Sequence, residues 1–447
     1  MTLRFRLRVV LASLVLASSL STASAQSSPA PNATSESAMP SVITVPEAAR
    51  ASDHFDAAAA TEAYLAQIPP AAKARSDAYF EGGYWLILWD FLYGIAVSFL
   101  LLSSRLSARM RGIAEALTSL RPLQTLAYWV QYLLVTSVLG FPLAVYEGYF
   151  REHEYGLATQ TFGPWLGDLL KGLALEMILG GLLVMALFGI VRRAPRTWHL
   201  WGAGLTLAFM IFVSLIAPVY ILPLFNKVNR LDDPKVTAPI LQLARANGIP
   251  VHDVFEVDAS RQSNRMSANV SGFGNTMRIT LNDNLLRRGS PEEIQAVMGH
   301  EMGHYVLNHV YKSLLFFLVV IAAAFAFLRA TLDGSLRRWG ARWDVRDVGD
   351  PAVLPLVALL GSLFLFVLTP ILNSYIRSGE QEADMYGLNA SRQPDGFAQA
   401  AIHLGEYRKM SPGPLEEWVF FDHPSGHTRI YNAMRWKGEN LSLSPAP

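Results

Sequence analysis

Six stretches of this chain are apolar and long enough to cross a lipid bilayer: residues 84–102, 126–146, 173–191, 200–222, 314–328 and 353–372. Backbone inside hydrocarbon must satisfy its own hydrogen bonds, so these stretches are restricted to helices. The shortest, 314–328, also reads as a buried helix of a soluble domain, although Val310 and Tyr311 extend it beyond Lys312. The expected class is a mainly α, polytopic α-helical membrane protein. Of the 447 residues only 16% are charged and 51% are hydrophobic, whereas soluble chains carry about 25% charged residues. Lys and Arg (37) balance Asp and Glu (36). No basic footprint results, and nucleic acid is not an expected partner. Cysteine is absent, which excludes disulfides, thiol catalysis and Cys-ligated metal. Any metal must be held by His and carboxylate.

Residues 1–25 combine a cationic start (Arg4, Arg6, Arg8), a short apolar run and Ala23-Ser24-Ala25. This is the pattern of a bacterial secretory signal peptide, cleaved or retained as an anchor. Residues 26–79 are rich in Ala, Ser and Pro and read as a flexible segment with one short helix near 55–67. Loops 103–124, 192–199 and 329–350 are rich in Arg. Loop 147–171 has only Arg151 and Lys171 against Glu147, Glu152, Glu154 and Asp168. The positive-inside rule places the first three in the cytoplasm and the last outside. The signal peptide independently places residue 26 outside. Both agree on six spans in a bacterial inner membrane, with 226–310 and 375–447 facing the periplasm.

The chemistry is carried by His300-Glu301-Met302-Gly303-His304, an H-E-x-x-H pattern. Imidazoles at i and i+4 lie on one helical face and can grip one ion, with Glu301 beside a metal-bound water. Ser290, Pro291 and Glu293 supply a helix start with a capping box. A zinc site of this kind needs a third protein ligand and an open position. Glu380 is the candidate, with Asp384 one turn on to accept the free N–H of a ligand His; Glu382 is equally eligible on pattern. Two spans separate His304 from Glu380, so the chain returns to the same side and these groups can meet. The metal would then lie within roughly 15 Å of the hydrocarbon boundary.

These residues resemble the type I CAAX prenyl protease family, integral-membrane zinc endopeptidases of the gluzincin kind. The resemblance covers most of residues 80–435. It rests on the H-E-x-x-H helix continuing to His309, on Glu380 to Asp384, and on His423-Pro424-Ser425-Gly426-His427-Thr428-Arg429. In the membrane half it rests on Glu152-His153-Glu154-Tyr155-Gly156-Leu157 and Pro223-Leu224-Phe225-Asn226-Lys227. The resemblance implies one zinc per chain on His300, His304 and Glu380, and Glu301 as general base. It implies that His423 and Arg429 assist the transition state, and that a helical barrel encloses a chamber beside a small α+β gluzincin lobe. Eukaryotic members have seven spans, no cleavable signal peptide and a cytosolic site. Here the sidedness signals point outward, and the substrate does not carry over.

Residues 266–271 and 277–281 flank the turn-forming 272–276 and read as a hairpin. Ser267, Ala268, Asn269 and Val270 form the expected substrate-facing edge strand. His309, five residues past His304, falls off the ligand face and reads as structural. The domain reading is a signal peptide (1–25), a flexible segment (26–79), a membrane domain (80–225) and a metallopeptidase domain (226–447) that includes the last two spans. The expected function is a membrane endopeptidase acting on membrane-associated proteins or peptides within the lipid bilayer's reach. The rivals are a transporter or channel using Asp90 and Glu176, and a non-proteolytic scaffold with structural zinc.

Overall fold

The structure is a computed structural model and describes residues 38–272 and 277–441. The signal-peptide reading and the tip of the expected hairpin, 273–276, lie outside the described residues. Six helices are long and apolar enough to cross a membrane, and each contains one of the six stretches read from sequence. The main helices of the first half are α1 (Ala57–Leu65), α2 (Pro70–Ser103), α3 (Leu106–Leu117), α4 (Arg121–Val145), α5 (Phe162–Arg193) and α6 (Trp198–Ile216). In the second half they are α7 (Pro234–Ala246), α8 (Pro291–Val306), α9 (His309–Ser335), α10 (Leu354–Ser391), α11 (Pro394–His403) and α12 (Gly426–Glu439). Helices α2, α4, α5, α6, α9 and α10 are the spans. Aromatics such as Trp129, Tyr128 and Trp198 pack into their shared core, while Trp85, Phe99, Val138 and Ile178 stay exposed on the outside. Exposed apolar surface of this extent suits a lipid surround.

The Arg-rich connections are folded structure rather than loose loop. Arg111 is buried and pairs with Asp350 at 2.6 Å, and Arg346 pairs with Glu115. Helix α10 runs for 38 residues, about 57 Å, nearly twice the hydrocarbon thickness. One rod therefore crosses the bilayer and carries Glu380 and Asp384 beyond it.

The small lobe holds a four-stranded mixed sheet: β1 (Val228–Arg230), β2 (Val254–Val257), β3 (Ala268–Ser271) and β4 (Arg278–Asn282), in the order β1-β2-β4-β3. β2 pairs parallel with β4, and β3 pairs antiparallel with β4, Ala268 opposite Leu281. The expected hairpin strands are thus present, with β3 at the sheet edge. Ile279, Leu281, Met298 and Met302 form the core that fixes the sheet on α8. Both membrane motifs brace this lobe. Glu152 accepts from Tyr79 and pairs with Arg265, just before β3, and Asp258 accepts from the backbone N–H of Lys227.

The described part of 26–79 packs against the lobe. The short helix forms, as α1, and Ile43, Ala49, Ala60, Tyr64 and Ile68 are buried with residues of α11 and α12. Tyr64 donates to Asp395, and the His403 ring lies between Glu293 and the Pro40 carbonyl. An Ala-rich composition hid this because small side chains pack closely without raising hydrophobicity.

Candidate metal centre

Helix α8 begins as its sequence dictates. The Ser290 side chain accepts from the Glu293 N–H, the Glu293 carboxylate accepts from the Ser290 N–H, and Pro291 occupies the first turn. The start is anchored further because the buried Glu293 also lies 2.6 Å from His403 Nδ1. About two and three turns beyond, small residues let α8 and α10 touch backbone to backbone. A Cβ on Gly387 would stand 2.7 Å from the His300 N, and one on Gly303 would stand 3.2 Å from the Ala383 Cα. That approach brings the carboxylates of α10 to the imidazoles of α8.

Three groups converge there. His300 Nε2 and His304 Nε2 are 3.2 Å apart. Glu380 Oε2 is 3.3 Å from His300 Nε2, and its Oε1 is 3.6 Å from His304 Nε2. Donors at 2.0–2.1 Å around a tetrahedral ion stand about 3.3–3.4 Å from one another. The His300, His304 and Glu380 atoms thus have the spacing of three corners of such a site. The second candidate carboxylate is elsewhere: Glu382 is exposed and lies against His309 and Lys312.

The far side of each imidazole is held differently. Asp384, buried, lies 2.7 Å from His300 Nδ1 and accepts two bonds from the Arg429 guanidinium. His304 Nδ1 lies 2.9 Å from His309 Nδ1, and His309 Nε2 lies 3.0 Å from Glu382. With His304 Nε2 turned to the metal position, its Nδ1 must be the donor. His309 then accepts at Nδ1 and donates from Nε2 to Glu382. His309 is therefore part of the site, although its spacing pointed away from it. Arg429 is buried and paired with Asp384.

Burial pushes the Glu301 carboxyl up to about 7, with His300 opposing and Glu380 adding to the rise. At His300 burial lowers the pKa, but the Asp384 and Glu380 carboxylates overcome it and hold the ring at about 10. Burial and the neighbouring His300 push His304 down to about 3. His423 joins the group, with its Nε2 3.1 Å from Glu380 Oε2 and its Nδ1 2.9 Å from Asp422. The edge strand β3 packs beside α8. Ala268, Asn269 and Val270 lie within it, and Ser267 immediately precedes it, its N–H donating to the Asn282 side chain. The Asn269 Oδ1 is buried without a hydrogen-bond partner among the described residues.

Residues 230–437 match the model of peptidase family M48, and residues 55–227 match the N-terminal module of CAAX prenyl proteases, described as five membrane helices. The uncharacterized metalloprotease YhfN of Bacillus subtilis is 32% identical over 352 residues, covering 77% of this chain and 82% of that protein. This chain belongs to peptidase family M48. CAAX prenyl protease 1 of Saccharomyces cerevisiae is 26% identical over 316 residues, 66% of this chain and 69% of that one. The crystal structure of S. mikatae Ste24p shares the fold, with a TM-score of 0.65 and 22% identity over 86% of this chain and 90% of that one. The family member described here is a multi-pass membrane metalloendopeptidase, and the transporter and scaffold readings are set aside. Within 55–227 the described residues hold four apolar spans rather than five.

Proposed function

We propose that this chain is a zinc-dependent endopeptidase that hydrolyses peptide bonds of membrane-associated proteins or peptides, with one zinc held by His300, His304 and Glu380. The observation that supports it most is the near-tetrahedral spacing of those three donors; a catalytic zinc site of this kind leaves its fourth position to water or substrate. Zinc in such a site lowers the pKa of a bound water towards about 7 and polarises a scissile carbonyl.

The chain's own residues do the rest. Glu301 directly follows His300, lies three residues before His304 and sits on their helix. It takes the water proton and later delivers it to the leaving amine, and its raised pKa suits both directions of transfer. His423 lies near the open side of Glu380 and supplies a hydrogen bond to the developing oxyanion. Arg429 and Asp384 hold the His300 ring in register. The substrate backbone adds to the outer edge of β3 along Ser267 to Val270, and the unpartnered Asn269 carbonyl oxygen accepts an N–H from it.

We read the chain as a membrane domain (80–225) and a metallopeptidase domain (226–447) in a bacterial inner membrane, with the metal site in the periplasm. The charge asymmetry of the loops supports this. Purified protein loaded with zinc is expected to cleave peptides. Glu301→Gln is expected to slow cleavage about 10²–10⁴-fold while keeping its metal. Undiminished cleavage by that variant would remove the proposed base.

A further inference from the structure

At the opposite end of the membrane helices, the α5–α6 connection, the start of α6 and the end of α9 border an open surface pocket of about 580 Å³. It is lined by Arg196, His199, Arg329, Asp333 and Arg337. Helix α9 starts beside the metal centre and reaches the cavity about 20 residues on, at Arg329, a rise of about 30 Å. Arg329 is paired with Asp333. Arg196 and Arg337 have no carboxylate partner among the described residues, so the cavity carries two uncompensated positive charges. The His199 Nδ1 is buried there with no hydrogen-bond partner among the described residues.

The surroundings are those of a lipid headgroup layer. Leu200 and Trp201, next to His199, are each 64% exposed, and Trp339, two residues past Arg337, is also exposed. Tryptophans favour the bilayer interface. The chain between Leu336 and Gly340 forms a π-turn, a rare element that turns up at functional sites. Guanidinium forks suit phosphate oxygens, and the adjoining apolar surface suits acyl chains better than water.

We propose that this cavity binds the phosphate headgroup of an anionic membrane lipid. The test uses the purified full chain in detergent, titrated by native mass spectrometry with phosphatidylglycerol or phosphatidylcholine, with inorganic phosphate as competitor. Phosphatidylglycerol is expected to bind more tightly. The double variant Arg196→Gln/Arg337→Gln is expected to bind it about 25-fold more weakly, about fivefold per arginine, with phosphatidylcholine unchanged. Arg338→Gln, an exposed neighbour lying over Trp339 and outside the cavity, is expected to behave as wild type. Equal binding of the two lipids, a double variant that keeps the preference, or an equal loss in Arg338→Gln would each overturn the site. Full displacement of the lipid by millimolar inorganic phosphate would overturn the lipid assignment.

Discussion

His300 and His304 offer the same ring nitrogen to the metal position, but what stands behind them differs in kind. Behind His300 is a buried carboxylate clamped by Arg429; behind His304 is a second imidazole leading to a carboxylate at the surface. A ligand His whose outer N–H is held keeps its tautomer and ring orientation, and losing such a partner costs 10–100-fold in metal affinity. His309→Phe, which removes the acceptor, is therefore expected to weaken zinc binding about 10–100-fold in a chelator competition, with His309→Gln milder. Equal affinities in wild type and His309→Phe would show that the contact does not position His304. The sequence pointed directly to His300, Glu301 and His304, because an i, i+4 pair on a well-capped helix has little freedom. It did not reveal His309, because that reading extended one helix through residue 309. The helix instead stops at Val306, Asn308 takes a left-handed conformation at φ 58°, and α9 begins by folding His309 back onto His304. That Arg429 pairs with Asp384 was not legible, because 45 residues separate them.

At the scale of elements, the crossing of α8 over α10 makes the site. Alanine at 387 would put its Cβ against the His300 backbone, which has no flexible end to move aside. Gly387→Ala is expected to destabilise the lobe by about 1–3 kcal/mol and to lower zinc content, read by thermal unfolding and metal analysis. A variant with full metal and an unchanged unfolding midpoint would mean that the close crossing is not required. All six spans were legible, since hydrocarbon leaves hydropathy as a nearly sufficient signal. Glu380 was legible through topology, because two crossings return the chain to the side of His304. That α10 carries it as one unbroken helix was not legible, because polarity rises after residue 372 whether the helix continues or ends. The packing of residues 38–69 was hidden too. It depends on long-range contacts such as Tyr64 with Asp395, which no local pattern encodes.

For the molecule as a whole, two ends of one helical bundle have opposite characters. One carries the metal lobe; the other carries arginines, with α3 tied to the α9–α10 connection by the Arg111–Asp350 and Arg346–Glu115 pairs. The proposed orientation puts the arginine end in the cytoplasm and the lobe in the periplasm. An alkaline phosphatase reporter fused after Pro447 is accordingly expected to be active, and an inactive fusion of a stably expressed chain would reverse the orientation. Every functional role assigned here depends on a cation gripped by His300, His304 and Glu380. The direct measurement is the zinc content of the purified chain: about one ion per chain in wild type and little in Glu380→Gln. Full zinc in Glu380→Gln, or none in a folded, active wild type, would contradict the assigned site.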